Sequence, residues 1–240
     1  MTWKDTYQEW LNQDQLEPAL KEQLVAMDDD QEKEDAFYGP LSFGTAGMRG
    51  LMGPGINRMN VYTVRQATAG LAKLMTSLGE ETMARGVAIS YDSRNNSRLF
   101  AHEAARVLGA QGIKTYIYDD LRPTPELSFA VRHLHTYAGI MITASHNPKE
   151  YNGYKIYGED GGQMPPKESD MMTGYIRQIE DLFNIELADE EELKAQGLEV
   201  VIGEEVDQAY LANVKTVTVN SDLATGFGKD MKFVYTPLCG

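Results

Sequence analysis

The chain has 240 residues, 42% hydrophobic and 24% charged, enough to bury a core as one large domain or two small ones. A formal net charge of −14 argues against non-specific binding to nucleic acid or an anionic membrane, so neither is an expected partner. The one cysteine, Cys239, excludes an intrachain disulfide and a cysteine-based metal site.

The first residues lack a basic region followed by an apolar run, and the apolar stretches are strand-length, so a cytoplasmic, reducing location is expected. Residues 1–40 read as a helical N-terminal extension. Trp3, Tyr7, Trp10, Leu11, Leu16, Leu20 and Leu24 form a helical pattern broken near Pro18, followed by a solvated charged stretch at 28–35. Val64, Ala67, Leu71, Leu74 and Leu78 then place one apolar face on a helix over 63–78. Gly86–Tyr91 reads as a buried strand, Phe100–Leu108 as a helix stopped by Gly109 or Gly112, and Ile113–Tyr118 as a strand. Pro125 opens a helix reaching His133, and Ala138–Thr143 is a further buried strand. A helix is expected over 166–183, a surface connection over 186–192 and another helix over 204–214. An apolar strand from Met231 runs into the last residues. This alternation predicts an α/β fold with a mixed, mainly parallel sheet sandwiched by helices over 41–205. The terminal strand suggests that 206–240 is the truncated start of a second, similar domain.

The chemistry-bearing residues cluster after these strands. Thr143-Ala-Ser-His-Asn-Pro148 follows the Ala138–Thr143 strand, and open α/β sheets bind ligands beyond the carboxyl ends of their strands. Ser145 there is a candidate nucleophile with His146 adjacent and Lys149 and Lys155 following, although a hydrogen-bonded turn closed by Pro148 has the same residues. Gly44, Gly47 and Gly50 flank Arg49 in a loop whose backbone could approach a phosphate closely. It is not a Walker A loop, since no Gly-Lys-Ser/Thr follows it. His102, His133 and His135 read as packing or surface residues, with nothing pairing them as metal ligands.

Thr143–Pro148 resembles the phosphoserine loop of the α-D-phosphohexomutases. Phe43-Gly-Thr-Ala-Gly-Met-Arg-Gly50, Tyr91-Asp-Ser-Arg94, Pro123-Thr-Pro125 and Asn152-Gly-Tyr-Lys155 resemble four further segments of that family, in the family's order. The Gly-Thr-Ala-Gly-Met-Arg-Gly form and the N-terminal helices look most like the bacterial α-phosphoglucomutases and their phosphopentomutase relatives. Tyr235–Leu238 resembles the first strand of the family's second domain, with Cys239 where histidine is usual.

The resemblance implies that Ser145 carries a transferable phosphoryl group and is bridged through it to Mg²⁺. A hexose monophosphate is the implied small-molecule sugar phosphate, and glucose 1,6-bisphosphate the intermediate and activator. The implied reaction interconverts glucose 1-phosphate and glucose 6-phosphate. Lys155 and His146 are the implied acid/base candidates, with Lys155 favoured and His146 organising the loop. Thr45, Gly47, Arg49, Arg94, Asn147 and Asn152 are the implied phosphate- and substrate-binding set. Asp92 and Arg94 form an ion pair or network that shapes the site, and the two asparagines brace the loop. The family's aspartate metal loop, sugar-recognition loop and distal phosphate loop belong to further domains, which would be this chain's partners. The 240 residues alone are therefore expected to be inactive. Phosphomannomutase or phosphopentomutase activity, a serine hydrolase lacking the Gly-x-Ser-x-Gly elbow, and a non-catalytic phosphosugar-binding domain are the alternatives.

Overall fold

A computed structural model describes residues 2–44, 47–228 and 231–236. Short helices α1 (Trp3–Leu11), α2 (Pro18–Ala26) and α3 (Asp30–Phe37) open the chain. Thr2 and Asp5 close a reciprocal capping box at the start of α1, and the Asp29 carboxylate accepts from the Gln31 N–H at the start of α3. The charged 28–35 stretch is thus mostly helix. Trp10, Leu24 and Phe37 from this region are buried, and Trp10 meets Phe37, Tyr62 and Phe183 edge-on at 5.7, 5.6 and 5.3 Å. The Tyr62 hydroxyl donates to the Gln15 carbonyl and accepts from the Glu17 N–H, both at 2.7 Å. The N-terminal helices share the main core through these contacts.

The sheet is mixed, in the order β1 (Met48–Leu51), β5 (Tyr151–Tyr157), β4 (Ala138–Ile142), β2 (Val87–Tyr91), β3 (Thr115–Tyr118), β6 (Glu199–Ile202). β4, β2, β3 and β6 run parallel, while β5 is antiparallel to both β4 and β1. Alternation along the strands sorts side chains into two cores. Val87, Ile89, Ile140 and Ile142 face the core that contains α4 (Val61–Leu78) and α6 (Ser97–Ala110). Ala88 and Met141 face the one that contains α7 (Thr124–His133). Helices therefore cover both faces of the sheet.

Several boundaries differ from those read in the sequence. α4 begins at Val61 because the Asn60 side chain accepts from the Tyr62 and Thr63 N–H groups. α8 (Pro166–Ile176) stops short of 183 because the Asp181 carboxylate takes the Phe183 and Asn184 N–H groups into a side-chain turn, and Phe183 tucks against Trp10 and Tyr62. α5 (Glu80–Arg85) is an added turn, and α9 (Glu190–Ala195) forms within the expected surface connection because Asp189 caps it. Residues 231–236 form no strand, the six-stranded sheet offering them no ladder. Cys239 lies outside the described residues.

The helix leading into the last segment, α10 (Glu204–Thr216), packs on α7, while α11 (Ser221–Phe227) follows it. Arg122 holds Asp207 by two hydrogen bonds of 2.8 and 2.7 Å, and Val206 is buried beside Leu127 and Val131. Glu126, 5% exposed, faces the same aspartate. Burial first, then the hydrogen bond and charge of Asp207, push its carboxyl up to about 7. The folded chain keeps this proton between about 4.5 and about 7, where an unfolded glutamate has lost it, so the contribution is full at lower pH and lost as pH rises through that window. Asp207 is held low chiefly by Arg122, and works in the opposite sense at lower pH. Glu126→Gln should therefore raise the melting temperature at pH 8 by about 2–4 °C and change it little at pH 5. Equal shifts at both pH values, in thermal denaturation, would contradict this reading.

Candidate active site

The site lies at the carboxyl ends of β2 and β4. The Thr143 N–H donates to the Gly153 carbonyl at 3.0 Å, keeping the chain paired one residue beyond β4. The Thr143 hydroxyl then accepts from the Ser145 N–H at 2.9 Å, which turns the chain sharply. Ser145 takes φ = +58°, a left-handed conformation uncommon for a residue with a Cβ, and presents a half-exposed side chain on the tip of the turn.

Arg94 locks this conformation. One of its terminal nitrogens donates to the Pro148 and Tyr151 carbonyls at 2.8 and 3.1 Å, the other to those of Ser145 and Asn147 at 2.7 and 2.6 Å. Its Nε lies 3.4 Å from the Asp92 carboxylate, and both residues are 8% exposed. Asp92 also accepts from the Ser97 hydroxyl at 2.7 Å, and Ser97 in turn accepts from the fully buried Asn152 amide at 3.0 Å. The sequence placed Arg94 and Asn152 in the phosphate-binding set. In the structure both side chains are engaged in holding the loop, Arg94 through backbone carbonyls and Asn152 through Asn95 and Ser97.

Besides the exposed Lys149 of the loop itself, two cationic residues come from the adjoining antiparallel pair. β1 registers Arg49 against Gly153, and Arg49, exposed, donates to the Asn147 side chain at 2.8 Å. Lys155 stands on β5 opposite Met141 and has no hydrogen-bond or ion-pair partner among the described residues. Burial first and then the Arg49 charge hold its ammonium below the usual lysine range, with Asp92 pulling the other way. Arg49, bonded to Asn147 of the serine loop, and Lys155, which feels its charge, thus form a local basic pair in a strongly acidic chain. The His146 Nδ1 lies 3.4 Å from the Ser145 oxygen, and no carboxylate orients the ring among the described residues. The hydrolase arrangement of serine, histidine and acid is therefore not assembled here.

Gly47 is required by close approach. It sits at φ = +96°, exchanges two 2.9 Å backbone hydrogen bonds with Gly44, and a Cβ would lie 2.0 Å from the Tyr154 carbonyl. Gly47→Ala should destabilise the protein by about 2–3 kcal/mol and detach the Arg49 strand from β5. Urea unfolding indistinguishable from the parent would sink that expectation. Thr45 lies outside the described residues. Two cavities, of about 600 and 920 Å³, lie between α4 and the 175–186 segment and beneath the N-terminal helices. Ser145, Arg49 and Lys155 line neither of them.

Sequence reading missed β1, β5 and β6, although Met48-Arg-Gly-Leu51 alternates buried and accessible positions as an edge strand should. The Asn147–Arg49 bond, spanning 98 positions, had no local signal at all. For Mg²⁺, this site offers at most the Ser145 oxygen or a phosphate on it, since the neighbouring Asp92 is engaged by Arg94 and Ser97. That is not an oxygen cage for the ion, so any further ligands would have to come from outside the described residues.

The domain is a helix-covered mixed α/β sheet with an arginine-clasped serine turn at its strand ends. Residues 40–182 match the phosphoglucomutase/phosphomannomutase α/β/α domain I, and the chain belongs to that family. Over 96% of its length it is 40% identical to a phosphoglucomutase of Staphylococcus saprophyticus, and over 70% it is 42% identical to phosphoglucomutases of Staphylococcus aureus. It spans 40% and 30% of those relatives' own lengths. A provisionally named phosphomannomutase structure from Thermus thermophilus is 30% identical with a TM-score of 0.54, the match covering 66% of this chain and 36% of that one. The mixed α/β fold and the family expected from the motifs both hold. No helix among the described residues is long and apolar enough to cross a membrane.

Proposed function

We propose that the chain is the phosphoserine-bearing part of a phosphoglucomutase interconverting glucose 1-phosphate and glucose 6-phosphate. The observation that carries this reading is Ser145 itself, held in a left-handed turn by the Arg94 clasp in a loop that Arg49 reaches through Asn147. The relatives' name, phosphoglucomutase, supports glucose as the sugar.

In this reading the phosphoryl group bonds to Ser145 Oγ and is attacked by the free hydroxyl of the sugar monophosphate. A new bond forms from the sugar oxygen to phosphorus while the bond from Oγ to phosphorus breaks. The resulting glucose 1,6-bisphosphate turns over and returns its other phosphoryl group to Oγ. Arg49 provides charge for the equatorial oxygens. Lys155, its ammonium weakened by burial, accepts the sugar hydroxyl proton in its neutral form and returns it when the cycle closes. His146, exposed and without an orienting partner, organises the loop. Mg²⁺ bound to the Ser145 phosphate, with further ligands beyond this chain, would supply Lewis-acid stabilisation. The remaining domains of the same polypeptide are the proposed partners, and the cytoplasm the proposed location.

Assay of the complete protein on glucose, mannose and ribose 1-phosphates is expected to give the highest kcat/KM with glucose. A higher value for mannose or ribose would replace the glucose assignment with the phosphomannomutase or phosphopentomutase one.

A further inference from the structure

At the other end of the sheet, three ligating side chains converge. Glu199 opens β6 in register with Thr115 at the start of β3, at the amino ends of parallel strands, whereas Ser145 follows the carboxyl end of β4. Its side chain meets those of His102 on α6 and Glu190 on α9, with one donor atom of each within 4.8 Å of the others. We propose that His102 Nδ1 and the carboxylates of Glu190 and Glu199 form a binding site for a divalent first-row transition cation of the Zn²⁺ class, separate from the serine site.

The decisive observation is Glu199. It is 4% exposed, and neither of its carboxylate oxygens has a hydrogen-bond partner among the described residues. The buried His102 Nδ1 is likewise without one among the described residues, lying 3.4 Å from the Glu190 oxygen. A buried carboxylate with no donor is costly to maintain. A proton would neutralise one oxygen of Glu199 and leave its second oxygen and the imidazole nitrogen unmatched. A cation at the centre satisfies all three residues together.

The spacing agrees with such an ion. Ligands at 2.0–2.2 Å in tetrahedral array stand about 3.4 Å apart, the separation already present between His102 and Glu190. The remaining donors, within 4.8 Å, need only a small inward rotation. One imidazole and two carboxylates favour a borderline ion over Mg²⁺ or Ca²⁺, which prefer oxygen alone. The Glu190 side chain is 34% accessible, leaving room for a water as fourth ligand.

The backbone that brings the ligands together is fixed without the metal. Leu193 of α9 sits over Gly109 of α6, where a Cβ would approach its terminal carbons to 2.4 Å. Arg106 and Ala188 exchange bonds of 3.0 and 3.1 Å between the side-chain Nε and carbonyl in one direction and the backbone groups in the other. Arg98 and Lys194 face the cluster, Lys194 being paired with Glu191. Their charge moderates the affinity, so micromolar binding is expected.

The test is Zn²⁺ titration of the chelator-stripped protein by calorimetry, with melting curves, for the parent, His102→Gln, Glu199→Gln and Ser145→Ala. One Zn²⁺ should bind per chain and raise the melting temperature. Affinity should fall at least about tenfold in the first two variants and hold in Ser145→Ala. If Glu199→Gln fails to fold, His102→Gln, altered at a partly exposed ring, decides alone. No saturable binding, or binding unchanged by His102→Gln, would overturn the proposal, as would binding lost in Ser145→Ala.

Discussion

Ser145→Ala is expected to lower turnover of the complete enzyme by about a thousandfold or more while leaving the fold intact. Only Oγ is removed, and the turn that presents it is held by other atoms. The Ser145 N–H donates to Thr143, its carbonyl accepts from Arg94, and its oxygen makes only the 3.4 Å approach to His146. Alanine can occupy the left-handed turn at a strain similar to that of serine. Stability should therefore change by less than about 0.5 kcal/mol, as for a partly exposed substitution. The predicted result separates chemistry from folding: turnover near background with an unchanged denaturation curve. Turnover within tenfold of the parent would remove Ser145 from the reaction, and an unfolded variant would show that the loop depends on Oγ.

Arg94→Met has the opposite profile, with its largest effect on stability. The guanidinium meets four backbone carbonyls and stands beside a buried aspartate. Methionine fills similar volume but leaves Asp92 uncompensated and the carbonyls without donors, costing about 3–5 kcal/mol. Activity should fall as well, because the turn presenting Ser145 loses its clasp. Arg94→Lys should be intermediate, since a single ammonium cannot span four acceptors spread over residues 145–151. Denaturant unfolding of the two variants checks this. A loss below about 1 kcal/mol in Arg94→Met would mean that the loop holds its shape without the arginine.

Much of this architecture was legible in the sequence because it is written in local patterns. The apolar face of α4 and the uninterrupted buried runs of β2 and β4 declare themselves by period and length. The serine loop was found by its motif, and its placement followed from the strand before it. What escaped reading depends on contacts between distant segments. β1 is four residues long and stabilised by pairing with β5, and β6 by pairing with β3, so neither needed a strong signal of its own. The Asp92–Arg94 network was legible in its motif, but the four-carbonyl clasp was not, because its acceptors lie 51–57 positions further along the chain. The His102–Glu190–Glu199 cluster shows the same limit: spacings of 88 and 9 positions match no local metal-ligand pattern, and only the packing of α9 against both α6 and β6 unites them.

In the proposed cycle phosphoryl transfer runs through Ser145. It is tested most directly by intact-mass and fragmentation mass spectrometry of the protein from its native source, before and after incubation with glucose 1,6-bisphosphate and Mg²⁺. One phosphoryl group per chain is expected, localised to Ser145 and restored by the bisphosphate after removal. A protein that stays unmodified at Ser145 under both conditions, or carries the group on another residue, would contradict it.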